Sequence, residues 1–228
     1  MTKDIPNYST NSDPGVLRIF VIRHGQTAEN SKKILQGHLD TDLNDVGIDQ
    51  AQKLGKYLRE DRDIVFDKVY TSDLKRCQQT LAEILKSYSS KPEIDVDAGL
   101  RERSMGVIQG MYLKDAEEYA AKHGKTSFRE FGEKADAFEE RFTGTVAKIV
   151  EKSSDMKNIA LISHGGSIRQ LLKWLEYTDL DITKIIVYNT SVTVIDFIKD
   201  EKEYQVQRVG NTQHLGEGEF IVSDLRLR

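Results

Sequence analysis

The chain of 228 residues contains one cysteine, Cys77, which excludes an internal disulfide and any cysteine-based zinc cluster. No stretch approaches the roughly 18 consecutive apolar residues that a membrane-spanning helix needs. Residues 1–15 lack the apolar core of a secretory signal. A basic excess is also missing: 33 Lys and Arg stand against 37 Asp and Glu, for a formal charge of −4 and no basic stripe. Nucleic acid and membrane are therefore not expected partners. The expected compartment is the cytosol, with the nucleus compatible, so the sequons at Asn7 and Asn189 carry no expected glycan. Neither an internal repeat nor a low-complexity block is present. A chain of this length, 38 % hydrophobic and 31 % charged, can bury a substantial core as one α/β domain.

The most informative stretch is Val16-Leu17-Arg18-Ile19-Phe20-Val21-Ile22, followed by Arg23-His24-Gly25-Gln26-Thr27-Ala28-Glu29-Asn30. A β-branched apolar run stopped by a polar turn reads as a buried strand of a parallel sheet. Arg23 and His24 then stand at its carboxyl end, where open α/β sheets bind ligands. Gly25 allows a sharp turn there. Taken alone, this stretch favours an anion site over a strand-end His24 that merely caps a turn.

Residues 1–15 are polar, with Pro6 and Pro14, and read as a mobile tail; 16–228 read as a single domain. Asn44 or Asp45 caps a helix carrying Ile48, Ala51, Leu54 and Leu58. Phe66–Tyr70 reads as a strand, and Ser72 or Asp73 as the cap of a helix from Leu74 to about Ser87. Arg76 lies in that helix's first turn and Cys77 faces inward as a core residue. After a short extended piece from Ile94 to Leu100, residues 105–132 read as a lid, on which Tyr112, Tyr119 and Phe128 are packing residues. Lys134 to about Lys152 forms an amphipathic helix. Asn158–Ile162 is a second buried strand, ending in Ser163-His164-Gly165-Gly166-Ser167 with a helix at once behind it. Strands are expected at Ile185–Val187, Ser191–Ile198 and Tyr204–Val209, and a partly ordered tail at Phe220, Ile221, Val222, Leu225 and Leu227. The whole is a three-layer α/β/α sandwich with a mostly parallel central sheet and a small lid excursion.

Two strands thus each deliver a histidine followed by glycine. Backbone N–H groups of Gly165, Gly166 and Ser167 at a helix start add an anion cradle. With Arg23 and Arg76, they suit a dianion such as a phosphate monoester. A binding module would need nothing more. Glu102, a lone acid in a cationic setting, is what points to chemistry: a carboxyl can protonate a leaving alkoxide and later activate water. No metal or other cofactor is expected, because the two arginines supply the positive charge. His38 and His123 read as surface loop residues, and His214 as packing near the sheet edge or approaching the pocket.

Arg-His-Gly-x-Thr-x-x-Asn, the Arg76 of Ser-Asp-Leu-Lys-Arg, Leu-x-Glu102-x-x-x-Gly-x-x-x-Gly and Ser-His164-Gly-Gly, in this order, resemble the histidine phosphatase superfamily, phosphoglycerate-mutase-like branch. The resemblance runs from about residue 17 to 209, and the whole chain is similar to fungal mutase-like phosphatases of broad specificity. It implies that His24 is the nucleophile and passes through a phosphohistidine. Arg23, Arg76 and His164 would hold the phosphoryl oxygens, and Glu102 would be general acid and then base. Asn30, Gln36, Gly37, Arg103 and Gly165 would contact the substrate, a small-molecule phosphate monoester. The chain departs from the mutases where they carry Glu-Arg-His-Tyr-Gly: here it reads Glu102-Arg103-Ser104-Met105-Gly106. The segment from Glu102 to His164 is also short and lacks the paired arginines that grip a second acidic group. Both departures favour a phosphatase over a mutase; a catalytically silent phosphate-binding scaffold is the third alternative. The physiological substrate and the oligomeric state are not legible.

Overall fold

The computed structural model describes residues 8–179 and 181–216. Its strands are β1 (Val16–Arg23), β2 (Lys68–Thr71), β3 (Glu93–Val96), β4 (Asn158–Ser163), β5 (Val192–Ile198) and β6 (Glu203–Asn211). The helices are α1 (Ala28–Lys32), α2 (Asp45–Lys56), α3 (Lys75–Ile84), α4 (Leu113–Lys122), α5 (Ala135–Lys152) and α6 (Gly165–Trp174). The sheet order is β3-β2-β4-β1-β5-β6. β1, β2, β3 and β4 pair in parallel, while β5 and β6 close one side antiparallel.

Period-two alternation along the central strands sends side chains to two separate cores. Phe20 and Ile22 of β1, with Ala160 and Ile162 of β4, pack against Ala51, Leu54, Cys77, Leu81 and Ile84 of α2 and α3. Leu17, Ile19 and Val21, with Ile159 and Leu161, pack on the opposite face against Phe142, Val146, Ile168 and Leu171 of α5 and α6. The expected three-layer sandwich is the fold observed. The 105–132 excursion has its own small core of Ile108, Ala116 and Phe128, flanked by Met105, Tyr119 and Phe131. Tyr112 is half exposed, and His123 stacks on Tyr119.

Three expectations of local structure need correction. Within the supposed mobile tail, the described residues 8–15 are anchored: Tyr8 is 1 % exposed against Phe20. Asn11 and Asn158 exchange backbone and amide hydrogen bonds at 2.7 and 2.8 Å. Ile185–Val187 is buried but is not a strand. β1 already has a ladder on each edge, and the Val187 carbonyl instead accepts from Arg23. Neither Ser72 nor Asp73 is the N-cap of α3; Leu74 holds that position without a side-chain bond. Ser72 turns to His164, and Asp73 forms a two-point pair with Arg101 at 2.7 and 2.5 Å. The apolar tail residues from Phe220 to Leu227 lie outside the described residues. No described helix is long and apolar enough to cross a membrane.

Arg18 is the one charge inside the apolar run of β1. It stands opposite Asp196 of β5 and meets it with two hydrogen bonds, 2.7 and 2.8 Å, both side chains buried. Asp196→Ala would leave that guanidinium without its counter-charge. Removing one partner of a buried pair costs about 3–5 kcal/mol, so urea denaturation should show a loss near the lower figure, since Arg18 keeps the Ser9 carbonyl. An unchanged unfolding midpoint would contradict this reading.

Candidate active site

Parallel pairing of β1 with β4 sets Arg23 opposite Ser163, so the next residues on each strand, His24 and His164, leave the sheet side by side. The His24 N–H continues the ladder to the Ser163 carbonyl at 3.0 Å. The two imidazole centroids are 5.2 Å apart. Behind them, the Gly25 N–H donates to the Thr80 hydroxyl at 2.8 Å, and that hydroxyl donates to the Arg76 carbonyl at 2.6 Å. Helix α3 thereby holds the turn that ends β1. Gly25 and Gly47 of α2 touch backbone to backbone: a Cβ on Gly25 would sit 2.6 Å from the Gly47 carbonyl oxygen. No other residue type fits there.

His24 is 3 % exposed, and its Nδ1 lies 2.7 Å from its neighbour's carbonyl, that of Gly25. A carbonyl can only accept, so Nδ1 carries the proton and Nε2 is left with a free lone pair. Burial, then the Arg76 and Arg23 charges, push the pKa of His24 well below the usual histidine range. The same causes act on His164, in the order burial, Arg76, His24, Arg23. Both imidazoles are thus held neutral in the free site. His164 Nε2 is 3.1 Å from the Ser72 hydroxyl and 3.5 Å from Cys77 Sγ. Burial pushes the Cys77 thiol up to about 12, consistent with its expected role as a core residue.

Arg76 is almost wholly buried. Its two terminal nitrogens donate to the Leu39 and Gly37 carbonyls at 2.7 and 2.9 Å, and its Nε has no acceptor. Arg23 repeats the pattern, with Nη1 on the Val187 carbonyl and Nε buried without an acceptor. Burial, followed by the Arg169 charge, lowers the Arg23 pKa to about 10, which still leaves it charged at neutral pH. Buried donors rarely go unpaired, and here they belong to cations flanking a neutral histidine. An anion is what they match.

Glu102 reaches in from the other side. Its carboxylate oxygens accept from the N–H groups of Gly166 and Arg103 at 2.7 and 2.9 Å. Its backbone carbonyl accepts from His38 Nε2 at 2.7 Å and from Arg141 at 3.2 Å. His38 is therefore a support for the acid rather than a surface residue. Gly165 lies against Arg23, where a Cβ would come within 3.3 Å of the guanidinium Nε. Asn30 caps α1 together with Thr27 and receives the Asn189 amide at 3.3 Å. The Gln36 side-chain oxygen accepts from Thr41 at 2.7 Å.

Arg103 is a correction. Its Nη1 donates to the carbonyls of Arg129, Phe131 and Glu133, so the guanidinium holds the lid backbone. His214, on the 3₁₀ turn Gln213–Leu215, does not enter the pocket. Its Nε2 is 2.8 Å from the Thr190 hydroxyl, and the Thr190 N–H bonds the carbonyls of Arg23 and His24 from behind. Burial lowers its pKa to about 3. The sequence reading missed Asn189, whose amide donates to the His24 carbonyl at 2.9 Å. It also missed Arg169, one helical turn beyond Gly165, which the Glu102 charge supports and whose Nη1 is buried without an acceptor. Asn189 carried no sequence signal; the i+4 spacing of Arg169 from Gly165 would have found it.

The site yields two predictions. A Cβ on Gly166 would fall 2.3 Å from a Glu102 carboxylate oxygen, yet the position is helical, where alanine is favoured over glycine by up to about 1 kcal/mol. Gly166→Ala should keep or raise the melting temperature while lowering turnover about 100-fold through a displaced acid. Second, His24, His164 and His214 are all held neutral in the fold, whereas in the unfolded chain each takes up a proton near pH 6.5. The unfolded state then binds more protons than the native state, so stability falls as pH drops below 6.5. Between roughly pH 7.5 and 5.5 the three together should cost about 4 kcal/mol. A flat urea midpoint over that interval would refute this.

A model of the histidine phosphatase superfamily, branch 1, matches residues 19–212. A broad-specificity phosphatase of Saccharomyces cerevisiae is 58 % identical over 231 residues, covering 100 % of both chains. A metal-independent phosphoserine phosphatase of Arabidopsis thaliana is 30 % identical, covering 90 % of this chain and 86 % of that one. Among solved structures, a phosphoglycerate mutase from Bacillus anthracis superposes with a TM-score of 0.77 at 28 % identity, covering 93 % of this chain and 99 % of that one. By this length and depth of likeness, the chain belongs to branch 1 of the histidine phosphatase superfamily and is a phosphoric monoester hydrolase.

Proposed function

We propose that the enzyme hydrolyses small phosphate monoesters without a metal, in two steps through a phosphohistidine on His24. In the first step the Nε2 lone pair attacks phosphorus and the bond to the ester oxygen breaks. Glu102 gives its proton to the departing alkoxide. In the second step Glu102 takes a proton from water as the water oxygen attacks phosphorus. The P–N bond breaks, releasing phosphate and neutral His24. The observation that carries this reading is the 2.7 Å contact of His24 Nδ1 with the Gly25 carbonyl, which fixes the tautomer with Nε2 unprotonated.

The electrostatics agree. A phosphoryl group in flight spreads negative charge over its equatorial oxygens, and catalysis consists mainly of position and fixed positive charge. The unpaired Nε–H groups of Arg23 and Arg76 and the cradle of Gly165 and Ser167 supply that charge with no need of a metal ion. If the Ser72 hydroxyl donates to His164 Nε2, the His164 proton resides on Nδ1, giving one more donor. Metal independence and a small substrate accord with the name of the Arabidopsis relative, a metal-independent phosphoserine phosphatase, and phosphatase activity of broad specificity with that of the Saccharomyces one.

Hydrolysis is favoured over mutase chemistry by where the arginines near the acid are used. A mutase must hold a second acidic group while a bisphosphorylated intermediate reorients. Here Arg103 is bound to lid carbonyls, Arg101 to Asp73, and Arg129 lies over the Phe128 ring, so that a second acidic group would find Arg169 alone rather than a pair.

Quenching a reaction with phosphorus-labelled p-nitrophenyl phosphate should trap an acid-labile, alkali-stable protein adduct, absent in His24→Ala, and EDTA should leave the rate unchanged. Release that a chelator abolishes would point to a metal instead, and no release at all to a silent scaffold. Rapid conversion of 3-phosphoglycerate to 2-phosphoglycerate with added bisphosphoglycerate would establish the mutase.

A further inference from the structure

The side-chain oxygen of Gln109, at the start of the lid, is a meeting point for three donors. They are the backbone N–H of His38 at 2.9 Å, the backbone N–H of Met105 at 3.2 Å and the Ser104 hydroxyl at 3.4 Å. Backbone N–H groups cannot accept, so the amide has one orientation and the oxygen works solely as an acceptor. The His38 N–H belongs to the same planar peptide unit as the Gly37 carbonyl, and that carbonyl accepts from Arg76 Nη2 at 2.9 Å. One rigid plate therefore has Gln109 at one end and the site's most buried cation at the other. Gly37 has φ +54°, a conformation from which a glycine-flanked peptide can rotate easily. The contact is also tight: a Cβ at Gly37 would lie 2.6 Å from the Gln109 oxygen.

The same oxygen acts on the acid. Its bond to Met105 N–H secures the segment after Glu102, while the ring of His38, the residue it holds by the backbone, donates to the Glu102 carbonyl.

We propose that Gln109 is a positioning residue that sets the phosphate-binding cation and the proton-transfer acid together, by pinning the Gly37–His38 peptide from the lid. It meets neither substrate nor reacting atoms. Its kinetic consequence rests on the phosphoryl-transfer reading of the pocket; its structural consequence does not.

The test separates an acceptor role from mere packing. Gln109→Met keeps the length and removes the acceptor, Gln109→Ala removes both, and Gln109→Glu keeps an oxygen in place. In the Met and Ala variants kcat/KM for p-nitrophenyl phosphate should fall about 10- to 100-fold, the range expected for small misplacement of catalytic groups. The apparent Kd for inorganic phosphate, read by calorimetry, should rise with it, and amide exchange across residues 36–39 should quicken. Gln109→Glu should stay near wild type in all three. Met and Ala variants equal to wild type in exchange and phosphate affinity would overturn the proposal, as would a Glu variant as impaired as the Met variant. Failure of the wild type to hydrolyse the ester would instead strike the proposed function, leaving the exchange and phosphate arms to decide this one.

Discussion

The pocket of this protein is organised by two guanidinium groups held beside a neutral imidazole. Each of those arginines uses terminal nitrogens to grip backbone carbonyls, Val187 for Arg23 and Gly37 with Leu39 for Arg76. Those bonds offset the desolvation of the charges without cancelling them, because a carbonyl is a dipole and not a counter-ion. A carboxylate in place of either set would have stabilised the free enzyme more and left less positive potential for a phosphoryl group. The carboxylate that is present, Glu102, is turned toward backbone N–H groups of Arg103 and Gly166 instead. The fold thus keeps its acid and its cations near one another but separately solvated by backbone.

The sheet supplies the precision for this arrangement. With β4 parallel and β5 antiparallel to it, β1 is paired on both edges over its length, and the buried Arg18–Asp196 pair favours a single register of β5 opposite it. A slip of one residue would exchange the two cores and turn His24 away. Glycine contacts between the turn at Gly25 and helix α2 then leave little freedom for the backbone next to His24. The lid is built differently. Its own core is small, and it is joined to the pocket by polar ties from Arg103, Gln109, Glu133 and Arg141. Such a segment can change without disturbing the sheet.

The sequence by itself was enough for the layers and the central strand, and for which strand ends and helix starts would converge on one pocket. Each rests on short-range information: apolar runs at 17–22 and 159–162, a glycine after each strand-end histidine, an arginine in the first turn of a helix. It was also enough to keep Cys77 in the core. Only the tertiary structure could decide what depends on partners distant in the chain. The Tyr8–Gly15 segment is ordered because Asn158 and Phe20 receive it. Ile185–Val187 is no strand because the neighbouring edge is already taken. Arg103 serves the lid, His38 the acid, and Gln109 joins the two, through contacts spanning 26 to 71 residues. Composition and spacing carry the preference of a residue for water or for a period; which carbonyl lies within 3 Å of a given guanidinium exists only once the chain has closed on itself.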